Sequence, residues 1–411
     1  MLPSVRDVIL FGTHPQLNLD FTLGVLDPRI TFTRASTATF VGSNGLIQTA
    51  ASGAARFGFD PSSLQPLGLL VEEARTNLIL RSGDLSNAAW STLADAGCSV
   101  SVTANSATAP DGTATASKVT IARTATTKYA QVYQVFTGTA AVYAGTLYLK
   151  ADAAGDVGRQ ITVLQYNGTV VGGIVTVTLT AAWQRVPSIM TLAASANCRF
   201  IVGYSADGGS TEIASVSFDA WGGQVELTSA NYPGPTSYIP TTTATVTRAA
   251  DVASMTGANF SSWYNQGAGT FVTQATPPGD YNQLGFAIAL HNGGATSYII
   301  IGKANASIAA AGKRWAEQTY VGTVNQSTIG TSADGAATTA KLGFAYKTSD
   351  FALVVAGVLA GTTASGAPPT TNDRMYIGSY NGAQSWLNGH IGSIKYYNKR
   401  LPNGKLQSLT S

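Results

Sequence analysis

The chain has 411 residues, a formal net charge of +3 and only 11% charged residues, against roughly 25% in an average soluble protein. So small a charge, without a Lys/Arg cluster of the kind that tracks phosphates, argues against nucleic acid as a partner. The length exceeds one ordinary core, and a composition of Ala, Thr, Ser and Gly in place of charge suits short strands and turns rather than long helices.

The start, "MLPSVRDVILFGTHPQ", has no long apolar run behind a basic head, so no export signal is expected there. "LDPRITFTRASTATFV" then alternates apolar and polar residues, "GSNG" supplies a turn and "LIQTA" returns, which predicts a hairpin. "RFGFDPSSLQP" is broken by its prolines, and "LGLLVEEARTN" fits a strand or a short helix, with strand the preferred reading. From 81 to about 245, runs such as "ASKVTIA", "AQVYQVF", "GTLYLKA" and "IASVSFDAWGGQVEL" recur at strand spacing between glycine-rich turns, which predicts one β-sandwich. Within it only "DLSNAAW" (84–90) has helical character. Residues 257–411 read as a second sandwich. In it "GTFVTQ" (269–274) is expected to pair antiparallel with "GSIKYYN" (392–398), because both runs alternate and such sandwiches seal first strand to last. "FALVVAGVLAG" (351–361) is too short to cross a bilayer and reads as buried strand, so no membrane insertion is expected. "NGKLQSLT" near the end is expected to make one helical turn.

The usual tools of catalysis are sparse. His14, His291 and His390 show no metal-ligand spacing on one element, and no G-x-S-x-G elbow occurs. Glycoside cleavage needs two carboxylates across one bond. Glu72 and Glu73 are adjacent and would face opposite sides of a strand, while Glu212, Glu226 and Glu317 are scattered. Cys98 and Cys198 have no further ligands nearby and read as isolated thiols rather than a disulfide. Asp219 is one oxygen donor where calcium wants six or more, so a turn or strand-end role is the simpler reading.

Aromatic rings serve both cores and sugar recognition. Trp90, Trp183, Trp221 and Trp263 stand in apolar settings and read as core or interdomain packing. Trp315 and Tyr320 in "KRWAEQTYVG", and Tyr380 and Trp386 in "SYNGAQSWLNG", stand near polar or glycine-rich segments and are the surface candidates for binding carbohydrate. Gln318, Asn381 and Gln384 would bond hydroxyls, and Lys313 and Arg314 an acidic sugar. Packing of Trp386 under its own loop and of Tyr320 in the core is the competing expectation.

Thr-Arg-Ala occurs twice in extended runs, at "TFTRASTATF" and "TVTRAADVAS". Either this is ordinary Thr-rich strand composition, or the two segments bracket the middle module at a junction. In the second reading Arg34, Arg75 and Arg248, rare cations in this chain, pair with Glu72 and Glu73 in a partly buried network.

From "LDPRITFTRASTATFV" through "RFGFDP" to "LGLLVEEARTNLIL" the chain resembles a section of tailed-bacteriophage structural proteins, mostly fibre and spike proteins. The middle, with "LSNAAW", "ATAPDGTATASKVT" and "DAWGGQVEL", resembles a carbohydrate-binding-module type of jelly roll. "RMYIGSYNGAQSWLNGHIGSIKYYNKRL" resembles the end of a concanavalin-A-like or laminin-G-like sandwich. The first eighteen residues lie outside these resemblances.

The resemblance implies an all-β protein in three parts: an N-terminal β-hairpin section for virion attachment (1–80), a jelly roll (81–250) and a lectin-like sandwich (251–411). It implies a non-enzymatic fibre or spike component, located in the virion after assembly in the host cytoplasm. Such a protein is expected to be a homotrimer, to contact other virion proteins through the N-terminal section, and to bind host cell-surface polysaccharide. No cofactor is expected; structural calcium at Asp219 is the one metal a jelly roll of this type suggests. The alternatives are a capsid decoration or tail component without receptor binding, and, third, a polysaccharide depolymerase.

Overall fold

The computed structural model describes residues 14–169, 171–294, 296–305, 308, 314–331 and 339–411. Lys313 and most of the first eighteen residues lie outside that set. The fold is all-β, built as two sandwiches with a hairpin against one of them.

The middle module packs two five-stranded antiparallel sheets face to face. One has the order Gln184–Leu192, Ala141–Ala151, Ser215–Leu227, Ala116–Ala122, Ser99–Ala107; the other has Val171–Thr178, Gln160–Tyr166, Ala196–Tyr204, Ala130–Gly138, Ser91–Ala94. Alternation explains the packing. In Ala116–Ala122 the inward Val119 and Ile121 join Val132, Phe136, Leu147, Phe200 and Phe218 in one core. Residues 84–90 form turns rather than helix. Asp84 and Asn87 each accept a backbone N–H two residues on, at 3.0 and 3.1 Å, which favours turns over helix.

The second sandwich pairs an eight-stranded with a seven-stranded sheet. Ala268–Thr276 pairs antiparallel with Gly389–Tyr397, Phe271 opposite Tyr396, as first-to-last sealing requires. The expected boundary at residue 80 does not hold for the sheets, however. Leu17–Asp20, Arg56–Phe59 and Pro66–Val71 belong to the eight-stranded sheet, and Thr31–Thr33 pairs with Val252–Thr256 in the seven-stranded one. Leu17, Leu19, Phe21, Leu69 and Val71 share a core with Phe271, Ile288, Trp315 and Tyr396. These residues are apolar on one face and become buried by adding strands to the eight-stranded sheet. The middle module is thus inserted into this sandwich. The chain leaves through Arg75–Asn77 and returns through Val246–Arg248, and the two segments pair with each other, Arg75 opposite Arg248. Ala38–Val41 and Ile47–Ala50 form the expected hairpin. After Pro402 a helix, Asn403–Thr410, is longer than the single turn expected and covers the open face of the eight-stranded sheet through Leu406.

Candidate functional site

At the insertion point seven charged side chains meet almost without water. Arg34 reaches Asp251 at 3.0 Å, Arg56 reaches Glu72 at 2.8 Å and also Asp251, and Arg248 reaches Glu72 at 2.7 Å. Arg75 pairs with Glu73 and donates to the Tyr232 carbonyl at 2.8 Å. Ser237 ties the centre together, its hydroxyl 2.9 Å from both Arg56 and Arg248 and 2.6 Å from Glu72. Burial alone would raise the Glu72 carboxyl, but Arg248 and Arg56 outweigh it and hold the group down to about 2. The five junction residues singled out from the sequence are therefore assembled by the fold. Arg56 and Asp251 were missed, although "RFGFDP" and "TRAAD" present them as rare charges beside the others.

A second constellation lies on the face of the seven-stranded sheet turned away from its core. In "RWAEQTYV" alternation sends Trp315, Glu317 and Thr319 inward and Ala316, Gln318 and Tyr320 outward. Tyr298 stands directly opposite Tyr320, and His291 opposite Tyr298. The rings connect in a row. Tyr376 stacks on His291 at 5.2 Å, His291 lies 5.4 Å from Tyr380, Tyr380 meets Tyr298 edge-on at 5.7 Å, and Tyr298 stacks on Tyr320 at 5.0 Å. Tyr298, Tyr320 and Tyr376 are half-buried, leaving part of each ring open. The Tyr298 hydroxyl donates to Gln318 Oε1 at 3.0 Å, and Thr328 bonds Gln318 and Asn325. Burial lowers the His291 pKa. Its Nδ1 accepts from the Gly293 amide at 2.9 Å, so Nε2 carries the proton and donates to the Tyr380 carbonyl at 3.0 Å, which fixes the loop above it. Flat carbon surface interleaved with amide and hydroxyl groups suits the C–H face and hydroxyls of a sugar ring.

The tryptophans expected on this surface are not there. Trp315 is 3% and Trp386 9% exposed. Trp315 faces the core by strand alternation, and Trp386 is anchored under its loop by donating from Nε1 to the Asp251 carbonyl at 2.9 Å. Tyr380, itself 8% exposed, is packed within the ring row. Asn381 is half-exposed and turns its own loop by accepting from the Ala383 amide, and Gln384 is exposed. Arg314 donates to the Thr331 carbonyl at 2.9 Å. Tyr298, Tyr376 and His291 were missed as members; the alternation of "SYIII" and "RMYIG" was the available signal.

The remaining chemical candidates resolve into structural roles. Glu212 pairs with Arg159, Glu226 is buried and bonded to Thr236, and Glu317 is buried against Ser327 and Thr319. Asp219 is buried and pairs with Lys150 at 3.2 Å. Among the described residues no group of three or more His, Cys, Asp or Glu is placed to hold a metal. Cys98 and Cys198 are free thiols.

No family model matches the chain, and no curated protein sequence matches it. Three solved structures illustrate what it is similar to in shape. The CBM40 of the Ruminococcus gnavus IT-sialidase, bound to alpha2,3 sialyllactose, is 14% identical with a TM-score of 0.31, covering 36% of this chain and 84% of that one. Domain 4 of AbnA, a GH43 extracellular arabinanase from Geobacillus stearothermophilus, is 8% identical with a TM-score of 0.31, covering 43% and 82%. The CBM22-1-CBM22-2 tandem of Paenibacillus barcinonensis Xyn10C is 10% identical with a TM-score of 0.27, covering 80% and 99%.

Proposed function

We propose that the chain is a structural component of a tailed-bacteriophage particle, a fibre or spike, that presents a glycan-binding face on its second sandwich. The phage half of this reading is supported by the "TFTRASTATF" and "GLLVEEARTN" section. The binding half is carried by the row of Tyr376, His291, Tyr380, Tyr298 and Tyr320 across one sheet face. Exposed stacking contacts contribute about 1 kcal/mol each, so one copy binds weakly and a homotrimer compensates by avidity. Contacts to other virion proteins fall to the N-terminal section, where Leu23 and Val25 are 72% and 60% exposed. The reading is of a binder, not a catalyst: Glu72, Glu226 and Glu317 are each buried and bonded in structural settings.

The test uses the full chain on host cells or purified host polysaccharide. Tyr320→Ala and Tyr376→Ala should each weaken binding by about fivefold, the equivalent of roughly 1 kcal/mol, with melting temperature showing that both remain folded. Undiminished binding in both folded variants rejects the face. Incubation with the polysaccharide should release no new reducing ends, and light scattering should give three times the monomer mass.

A further inference from the structure

The net charge of +3 is unevenly distributed along the chain. Residues 341–411 hold five lysines and two arginines against two aspartates, a net +5, so the preceding 340 residues carry −2. Arg374 and Asp373 pair with each other at 2.6 Å beside the seven-stranded sheet. The other six cations are scattered in sequence, but the fold gathers them on the outer face of the eight-stranded sheet. Along Ala340–Lys347, Leu342, Phe344 and Tyr346 enter the core, which turns Lys341 and Lys347 outward. Along Gly389–Tyr397, Ile394 and Tyr396 enter it, which turns Lys395 outward. Lys399 and Arg400 follow that strand, and Lys405 stands exposed on the helix Asn403–Thr410 that covers the face. The strands of this sheet and the helix carry two carboxylates in return. Asp350 is shared by Arg400 at 2.8 Å and Lys347 at 3.5 Å, and Asp20 lies opposite Ser393. His390 adds no charge, because burial holds it down to about 4.

The array is broad and sparse. Lys341 and Lys347 are six residues apart on one strand, about 20 Å, and Lys395 lies two strands away, about 10 Å across, at the level of Gly343. Charges spread in two dimensions at that spacing do not follow a nucleic-acid backbone, which carries one every ~3.4 Å along each strand. A folded protein is disfavoured by where the apolar surface lies. Protein interfaces have an apolar centre and a polar rim. Here the centre is the exposed side of the helix, with Gly404, Lys405 and Ser408. The exposed apolar groups stand on the edge strand Val358–Thr363, Val358 at 69% and Leu359 at 39%. A wide plane of negative charge meets both conditions, since it needs neither a groove nor an apolar centre. Long lysine stems adapt to such a plane. Leu359, paired with Val354 of the same face, adds apolar contact at the margin.

We propose that this face docks on the surface of an anionic phospholipid membrane, its lysines meeting the charged headgroups. It lies on the opposite side of the sandwich from the tyrosine row, shares no residue with it and stands whether or not that row binds glycan. The experiment sediments the full chain with vesicles of equal parts phosphatidylcholine and phosphatidylglycerol, with pure phosphatidylcholine vesicles as the neutral control. At low salt the chain should sediment with the anionic vesicles and not with the neutral ones, and about 0.5 M salt should release it by screening. Lys395→Gln and Lys405→Gln should each weaken binding about fivefold, and the triple variant with Lys399→Gln about a hundredfold. Melting temperature checks that each variant is folded. Lys118→Gln, which removes a cation of the middle module, should leave binding unchanged. Inorganic phosphate and a short duplex DNA, added at matched ionic strength, should not displace the chain. No binding to anionic vesicles at low salt, or undiminished binding by the folded triple variant, overturns the proposal. Displacement by phosphate or by the duplex also overturns it, and assigns the face to a free anion or to nucleic acid.

Discussion

Two buried glutamates act on stability in opposite directions. Glu72 is held down to about 2 because Arg248 and Arg56 overcome its burial, against an ordinary value of 4.5. On acidification the unfolded chain takes up this proton first. The stabilisation, about 3 kcal/mol, is complete above pH 4.5 and is lost as pH falls from there to about 2. Glu72→Gln should flatten that acid limb and cost about 3–5 kcal/mol at neutral pH, since it strands two buried guanidinium groups. Denaturant titrations at several pH values measure both effects. Glu317 is the reverse case. Burial pushes it up to about 7, with Ser327 and Thr319 only partly offsetting, and Lys303 stands on the adjoining strand with its ammonium over Trp315. Here the unfolded chain ionises first, so stability present below pH 4.5 is lost between 4.5 and about 7. Glu317→Gln should therefore be more stable than the parent at pH 8, by up to about 3 kcal/mol, and equal to it at acid pH. The sequence shows Arg34, Arg75, Arg248, Glu72 and Glu73 as partners because charge is scarce and each such group needs a mate. It shows the ring candidates less well: a glycine-rich neighbourhood does not tell which face a ring takes, and Trp386 turns inward to satisfy its indole N–H.

The terminal helix Asn403–Thr410 illustrates how a weak element is held by what it covers. Eight residues are too few for an isolated helix in water. Leu406 is fully buried with Leu401, Tyr397, Val272 and Val354 on the outer face of the eight-stranded sheet. Leu406→Ala should cost about 2–5 kcal/mol and lower the urea midpoint, while the exposed Lys405→Ala should leave it unchanged. Strand existence was legible throughout, from "ASKVTIA" to "GSIKYYN", because period-two alternation is local. The helix length was less so, because its extension depends on a sheet face that local sequence does not describe. Residues 84–90 went the other way, since Asp84 and Asn87 bond their own backbone.

At the scale of the molecule the sandwich is discontinuous, and no local pattern announces it. Leu17 pairs with Tyr396, and Ala253 with Phe32; alternation fixes which side of a strand is apolar but not which distant strand it joins. A fragment of 251–411 lacks the N-terminal strands of both sheets and should be insoluble or unfolded by circular dichroism. A chain in which Asn77 is joined to Val246 by a short Gly/Ser turn should fold and melt in one transition, because those residues already face each other in the ribbon. The same arrangement sets the path that an applied force would take. The strand Leu17–Asp20 lies antiparallel against Gly389–Tyr397, and Gln16 and Asn398 are bonded at 2.8 Å, so the two ends of the described sandwich emerge side by side. Tension entering ahead of Gln16 and resisted at the tyrosine face is taken in shear by neighbouring strands of one body. The middle module, whose own two ends meet at the ribbon, hangs in parallel with that path like a side arm, and can keep its fold while the rest of the molecule is pulled.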